Sequence, residues 1–562
     1  MRRLLAVLAC TTFLPAQAAT LAAREVRPLV EALRADLRDL NRRYDVPMSG
    51  ERRARLRARY DEAAHDLQAL DFDGLAHDGR IDWLLLDNHV RKAVEDLDRE
   101  AVREAELANL LPFAPAITHL AEALRRLEDV AAADAATTVD RIGKQCDEVR
   151  AALAAKKFAT LPPALFARAA ARTAALRQTL RAWFDHRNGY DPEFGWWLRA
   201  PYGAAESALG GLYDALAAAP GNDGGDRSLL GDPVGEAALQ RELAFEWIPY
   251  TPAELVAIAE LEFAWCDAEM AAAATAMGCK DWREALERVK QQHRDPGEQP
   301  QLIRDLAHEA IAFLEQRDLI TIPPLAKECW RMRMMSREAQ KVNPFFLGGE
   351  TIQVSFPTDA MAHIEKLQAL RSNNEHFCRA TVHHELIPGH WLQEHSQSRH
   401  RTWREPFDTP FWIEGWALYW EMRMYDLGLA KSPEGKVGML YWRKHRCARI
   451  VFSLNFHLGR WTGPQCVEYL IDRVGHERAA AEGEVRRSVG GSYPPLYQAA
   501  YMLGGLQLRA LHGQLVGGKA FTERQFHDAV LAQNSIPIAV LRAALGTAPV
   551  PRVLAPWRFA DG

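Results

Sequence analysis

The stretch TVHHELIPGHWLQ, Thr381 to Gln393, crowds three histidines and a glutamate into eight positions. Whether it is one helix or a helix broken in the middle decides what the surrounding fold has to do. A helical metal site commonly places two histidines at i and i+4, which points both imidazoles to one face. Here the partner downstream of His384 is His390, six positions on, and at roughly 100° per residue the two diverge by about 120° on a regular helix. Pro388 and Gly389 supply the remedy: proline removes a backbone donor and glycine admits unusual dihedrals, so two residues loop out and an effective four-residue register returns. His383 and His390 share a face as they stand, but lie about 10 Å apart along the axis, too far to share an ion whose bonds are about 2 Å long. His384 and His390 are therefore the expected ligand pair, and His383 is left a supporting or packing role.

Working outward, Phe411 to Glu421 reads FWIEGWALYWE, an apolar and aromatic helix that carries Glu414. A carboxylate there is costly to bury unless it is paired or binds a metal, which makes Glu414 the third expected ligand. Gly415 leaves room for close helix approach. Glu421 is expected either behind the ligands or in solvent, and Trp412, Trp416, Tyr419 and Trp420 are expected in the core. Two imidazoles and one carboxylate leave a fourth position open, as in a catalytic site, and suit zinc, although manganese, iron and cobalt accept the same donors. Glu385, beside the first ligand, is placed to take a proton from water and pass it to a leaving amine.

The rest of the chain predicts a mainly α fold. From Leu21 to about Ala218, apolar residues recur at three- and four-residue spacing, as in Leu29, Leu33, Leu37 and Leu40 or Leu120, Leu124 and Leu127. A Gly-, Pro- and Asp-rich tract up to Gly235 marks a boundary, dividing an N-terminal helical region, 19–235, from a catalytic helical region, 236–562, that holds the metal site. Thr251-Pro252-Ala253-Glu254 looks like a helix cap followed by a first-turn proline. One segment, Gly349 to Phe356, alternates apolar and polar residues after a Gly-Gly turn and predicts a short strand, which could be structural or could pair with an extended substrate.

Met1, Arg2 and Arg3, an apolar run from Leu4 to Leu14 and the small residues around Ala16 and Ala18 have the order of a secretory signal. Residues 1–18 are therefore expected to be removed, giving a periplasmic or secreted protein. Lipid attachment at Cys10 is the weaker alternative, because Leu8 stands where a small residue is usual. No later apolar run approaches the ~20 residues of a membrane span. A formal net charge of −5 on 562 residues, 25% of them charged, gives no field that calls for nucleic acid. Seven cysteines remain beyond the signal, without a CxxC pair, which excludes a cysteine zinc site and a disulfide framework. A di-iron bundle wants two ExxH pairs and only Glu62 to His65 has that spacing. No serine has glycine both two places before and two places after it, as a nucleophile elbow requires.

Taken together, His384, Glu385, Pro388, Gly389, His390 and Gln393, followed by Glu414 through Tyr419, resemble the hallmark of a bacterial family defined by domain of unknown function 885 (DUF885), grouped with gluzincin-like metallopeptidases. The resemblance runs over most of the chain and is strongest from about Glu350 onward. It implies a large two-lobed helical fold with a deep cleft, zinc held by His384, His390 and Glu414, and Glu385 as the catalytic base. It also draws attention to Tyr501, as a donor to the oxyanion of a tetrahedral intermediate, and to Arg487, as a partner for a substrate carboxylate. The implied activity is hydrolysis of short peptides. The other class to weigh is an exported metal-binding protein of this fold without turnover. Several positions depart from the family pattern: Trp391 replaces a second histidine, Ser453 an aspartate four residues before His457, and Leu496 and Tyr497 interrupt a stretch that otherwise keeps Pro495, Tyr501 and Gly504.

Overall fold

The computed structural model describes residues 25–219, 227–340, 345–491 and 493–561. The expected signal segment 1–18, Cys10 included, lies outside these residues, as does part of the Gly/Pro-rich tract before Gly235. Helices dominate, as expected from the periodicity, and apolar side chains bury in two clusters. One gathers residues from Val26 to Val90 with residues from Leu229 to Phe559, and the other is confined to Leu107 to Ala219. The second is built from four helices, Ala114–Arg125, Ala132–Ala154, Pro163–Asp185 and Pro192–Ala217.

Local chemistry explains where these helices begin and stop. Thr251 accepts a hydrogen bond from the Glu254 backbone N–H at 3.2 Å, while Glu254 accepts one from the Thr251 N–H at 2.7 Å. This reciprocal cap starts the helix Pro252–Ala276. The leucine repeat 120, 124, 127 runs past the helix: the helix ends at Arg125, and Leu127 stands 82% exposed at a φ of +59°. No helix among the described residues is long and apolar enough to cross a membrane, and the seven described cysteines are all free thiols.

The β structure is small. Strand β1 (Arg331–Met334) pairs in parallel with β2 (Thr351–Val354) in the register Arg331 to Thr351. The strand expected over Gly349 to Phe356 is thus present but shorter, and its outer edge is not free throughout. Leu347 folds back antiparallel onto Gln353, with mutual backbone hydrogen bonds of 3.1 and 2.8 Å. The turn that permits this passes through Gly349 at a φ of +106°, which favours glycine.

Six helices frame the site: α1 (Glu375–Glu385), α2 (His390–Gln397), α3 (Pro410–Asp426), α4 (Pro433–His457), α5 (Arg478–Val489) and α6 (Tyr497–His512). Helices α3 and α6 cross at glycines, where a Cβ on Gly415 would come within 2.6 Å of the Gly504 Cα. Helix α1 docks on α4 through Phe377, stacked on Tyr441 at 4.0 Å, and through the Trp442 indole N–H, which donates to the Phe377 carbonyl at 3.1 Å. Trp412, Trp416, Tyr419 and Trp420 of α3 are buried, as expected. At about 2–3 kcal/mol per large side chain, these four rings offset the several kcal/mol that each carboxylate buried on the same helix costs.

Candidate metal centre

Asn374 caps α1 by accepting hydrogen bonds from the His376 and Phe377 N–H groups, both at 3.0 Å. The helix then stops at Glu385, and a second helix begins at His390. Between them Leu386 to Gly389 loop out, tied down by hydrogen bonds from the Gly389 N–H to the His383 carbonyl (3.0 Å), from the Leu392 N–H to the Leu386 carbonyl (3.2 Å) and from the Trp416 indole to the Pro388 carbonyl (2.8 Å). Gly389 is required here for space, because a Cβ would overlap the His384 carbonyl. The interruption expected from the sequence is therefore what brings His384 and His390 together, their rings 4.8 Å apart and mutually perpendicular.

Glu414 of α3 completes a cluster in which one donor atom from each of His384, His390 and Glu414 lies within 4.8 Å of the others. Glu414 Oε2 sits 3.6 Å from His384 Nε2 and 3.3 Å from His390 Nε2. Ligands at 2.0–2.2 Å around a tetrahedral ion are about 3.3–3.6 Å apart, so the residues fit a metal ion. Glu414 Oε2 is moreover buried, and among the described residues its only close polar neighbours are these two imidazole nitrogens, so all three donor atoms face the point an ion would occupy.

The opposite faces of the ligands are all held. His384 Nδ1 meets Glu421 Oε1 at 2.6 Å, and Glu421 pairs with Arg446 at 3.1 Å. Burial disfavours a charged Glu421, yet Arg446 and His384 hold its pKa down to about 2. His390 Nδ1 lies 3.1 Å from Gln393 Oε1, and Gln393 is itself anchored by donating to the Ile413 carbonyl at 2.7 Å. The Tyr497 hydroxyl donates to Glu414 Oε1. Such contacts fix the tautomer and orientation of ligands. His383 is buried and lies outside the ligand cluster; burial lowers its pKa to about 4, so it stays neutral.

The ligands open into a cavity of about 230 Å³, also lined by Glu385, Glu394, Arg446, Arg449, Arg487, Tyr493 and Tyr501, and by Phe345 to Gly348. The Gly349 N–H reaches the Glu385 carbonyl at 3.3 Å, and a side chain at Gly348 would collide with the Glu385 carboxylate. It is thus the turn before β2, rather than the strand, that borders the site. Burial raises the Glu385 pKa. The Tyr501 ring stacks over that of His384 at 6.1 Å, and burial together with Glu414 lifts its pKa to about 12, so it remains a hydrogen-bond donor.

Every site residue expected from the sequence, Glu385, His384, His390, Glu414, Tyr501 and Arg487, lines this one cavity. Sequence reading missed Tyr497, Arg446 and Arg449. The first had been seen only as a departure from a pattern, and the arginines lie in a long helix with no spacing signal. Ser453 and His457 do not line the cavity. A second cluster, His512, Glu523 and His527, has similar spacing, but its groups already have partners. His527 contacts the Leu319 carbonyl at 2.7 Å and the Tyr419 hydroxyl at 2.8 Å, and Glu523 is held by Arg423 and by His512 at 3.0 Å.

Proton competition gives a measurable expectation. Burial works against a charged His390, but the Glu414 carboxylate beside it prevails and raises its pKa to about 9. An incoming ion must therefore displace a proton, so apparent metal affinity is expected to rise about tenfold per pH unit towards pH 9 and level off above it. Competition with a chelator of known affinity across this range checks the slope; a flat profile contradicts it.

Fold and site together define a large helical protein with a buried two-histidine, one-carboxylate centre suited to a metal ion. Residues 30–545 match the family described as bacterial protein of unknown function (DUF885), and the chain belongs to that family. Two solved structures share the fold. A "putative lipoprotein of unknown function" from Shewanella oneidensis is 18% identical, with a TM-score of 0.67 over 92% of this chain and 99% of the other. A "putative lipoprotein" from Colwellia psychrerythraea is 16% identical, with a TM-score of 0.56 over 94% and 98%. No curated protein matches.

Proposed function

We propose that this protein is an exported zinc-dependent hydrolase, a metallopeptidase that cuts short peptides. The observation that carries this reading is Glu385: a buried carboxylate that lines the cavity beside the ligands yet lies outside the ligand cluster. A purely structural metal site has no use for it. When bound, the ion supplies Lewis-acid activation of a water and of the scissile carbonyl. Glu385, its pKa raised by burial, accepts the proton of the attacking water and delivers it to the leaving amine. Tyr501 stays protonated and donates to the oxyanion, and Arg487 is at hand for an anionic substrate group. The small cavity, about 230 Å³, favours short peptides over folded proteins.

Export is supported by the charged, apolar and small-residue order of residues 1–18 and by the description of both structural neighbours as lipoproteins; the latter keeps Cys10 in view as an anchor. The reading is tested by incubating the purified protein with a mixed library of short peptides before and after chelation. Cleavage that stops with chelator and returns with one equivalent of zinc is expected. A zinc-loaded protein that cleaves none of them would favour the binding-protein alternative.

A further inference from the structure

Three guanidinium groups line the cavity, and they are not equally paired. Arg446 is matched by Glu421 at 3.1 Å. Arg449 is 2% exposed and meets Glu484, itself fully buried, through Nε at 2.7 Å, while its Nη1 is buried without a partner. Arg487 has no carboxylate within salt-bridge distance among the described residues. Its contacts are the Tyr501 hydroxyl at 3.5 Å and the face of Tyr493 at 4.8 Å, and its Nε is likewise buried and unpartnered. Glu385 and Glu394 also line the cavity, but neither is paired with Arg449 or Arg487, and the one carboxylate that engages these two neighbouring guanidiniums is that of Glu484, through Arg449. Arg487 is half-buried, so its guanidinium is partly shielded from water without a paired carboxylate, and planar N–H forks are suited to a carboxylate.

We propose that Arg449 and Arg487 form a carboxylate-binding subsite beside the metal centre, and that it confines cleavage to the last one or two residues of a peptide with a free C-terminus. The direction of cleavage rests on the peptidase reading above; the subsite itself does not. The sequence points only to Arg487, and Arg449 is the structure's addition. Tyr501 sets the spacing: its ring is stacked at 6.1 Å on the ring of His384, and the Arg449 guanidinium lies 4.2 Å from the Tyr501 ring centre. The anion is thus bound one aromatic ring from a metal ligand. An extended residue spans only about 3.3–3.6 Å, so one or two residues separate a carboxylate held there from the scissile carbonyl. A cavity of about 230 Å³ has little room for more.

The test is calorimetric titration of the zinc-loaded Glu385→Gln variant, which suppresses turnover, with three probes: N-acetyl-Ala-Ala as the free acid, its C-terminal amide, and N-acetyl-Ala-Asp amide, whose only carboxylate is on a side chain. The free acid is expected to bind about 10- to 100-fold more tightly than the amide. Adding Arg487→Gln should remove most of that preference by weakening the free acid much more than the amide. Arg449→Gln would orphan Glu484 and endanger folding, so Arg449→Lys is the companion variant: it keeps the charge but loses the fork, and should give an intermediate preference. If the aspartyl amide binds as tightly as the free acid, the subsite takes acidic side chains and the C-terminal assignment falls. Equal affinity for free acid and amide, or a preference untouched by both arginine variants, overturns the subsite. Separately, carboxylate discrimination in a wild-type protein that cleaves no peptide would leave the subsite standing and reject the peptidase reading.

Discussion

Glu385→Gln is expected to lower kcat by about 10²–10⁴-fold, the usual contribution of a positioned general base, while leaving the metal content at one equivalent. The two halves of this expectation have different causes. Glutamine keeps the shape of the side chain but cannot accept and return a proton, so the chemical step loses its shuttle. The ligand cluster consists of His384, His390 and Glu414, and its supporting contacts run to Glu421, Gln393 and Tyr497; none involves the Glu385 side chain. Stability should not fall, and is expected to rise slightly, because the substitution removes a buried carboxylate whose pKa burial already raises. Steady-state kinetics, metal analysis and thermal unfolding on the same preparation decide the matter. Wild-type turnover would remove Glu385 from the chemistry, and loss of metal would mean that its role is structural.

The sequence made the metal centre legible because its ligands are chemically conspicuous. Two histidines at a spacing that no regular helix can use, with proline and glycine between them, signal a deliberate interruption. A lone carboxylate in FWIEGWALYWE signals a partner strong enough to hold it in an aromatic helix. The helical class was equally legible from periodicity, and the cap at Thr251 from its residue types. What could not be read were contacts set by tertiary placement. Arg446 and Arg449 sit on a 25-residue helix buried for most of its length, where the apolar pattern that marks an outward face is absent. Tyr497 gives no local sign that its hydroxyl will meet Glu414, 83 residues away in the chain. The strand was seen, but the return of Leu347 onto Gln353, which moves the border of the site to Phe345–Gly348, depends on a turn whose geometry the alternation of residues does not specify.

Glu414 and Glu421 offer the sharpest discrimination between a ligand and a residue that only orients one. They stand seven apart on α3, two helical turns, so both reach the same histidine from one face. Sequence spacing alone therefore leaves Glu421 as a substitute third ligand. The geometry separates them: Glu414 approaches the Nε2 atoms of both His384 and His390, whereas Glu421 lies against Nδ1 on the far side of the His384 ring and is already engaged by Arg446. Glu414→Ala should strip zinc, as should His384→Ala and His390→Ala, with affinity falling at least about 10³-fold. Glu421→Ala should keep it with a loss of about 10- to 100-fold, the usual cost of removing a group that orients a ligand. It should also destabilise the fold even with zinc bound, because Arg446 is left as a buried cation without its partner. His383→Ala should retain zinc at close to wild-type affinity. Zinc competition titrations on the five variants separate the outcomes, and tight zinc in Glu414→Ala with loss in Glu421→Ala would exchange the two roles.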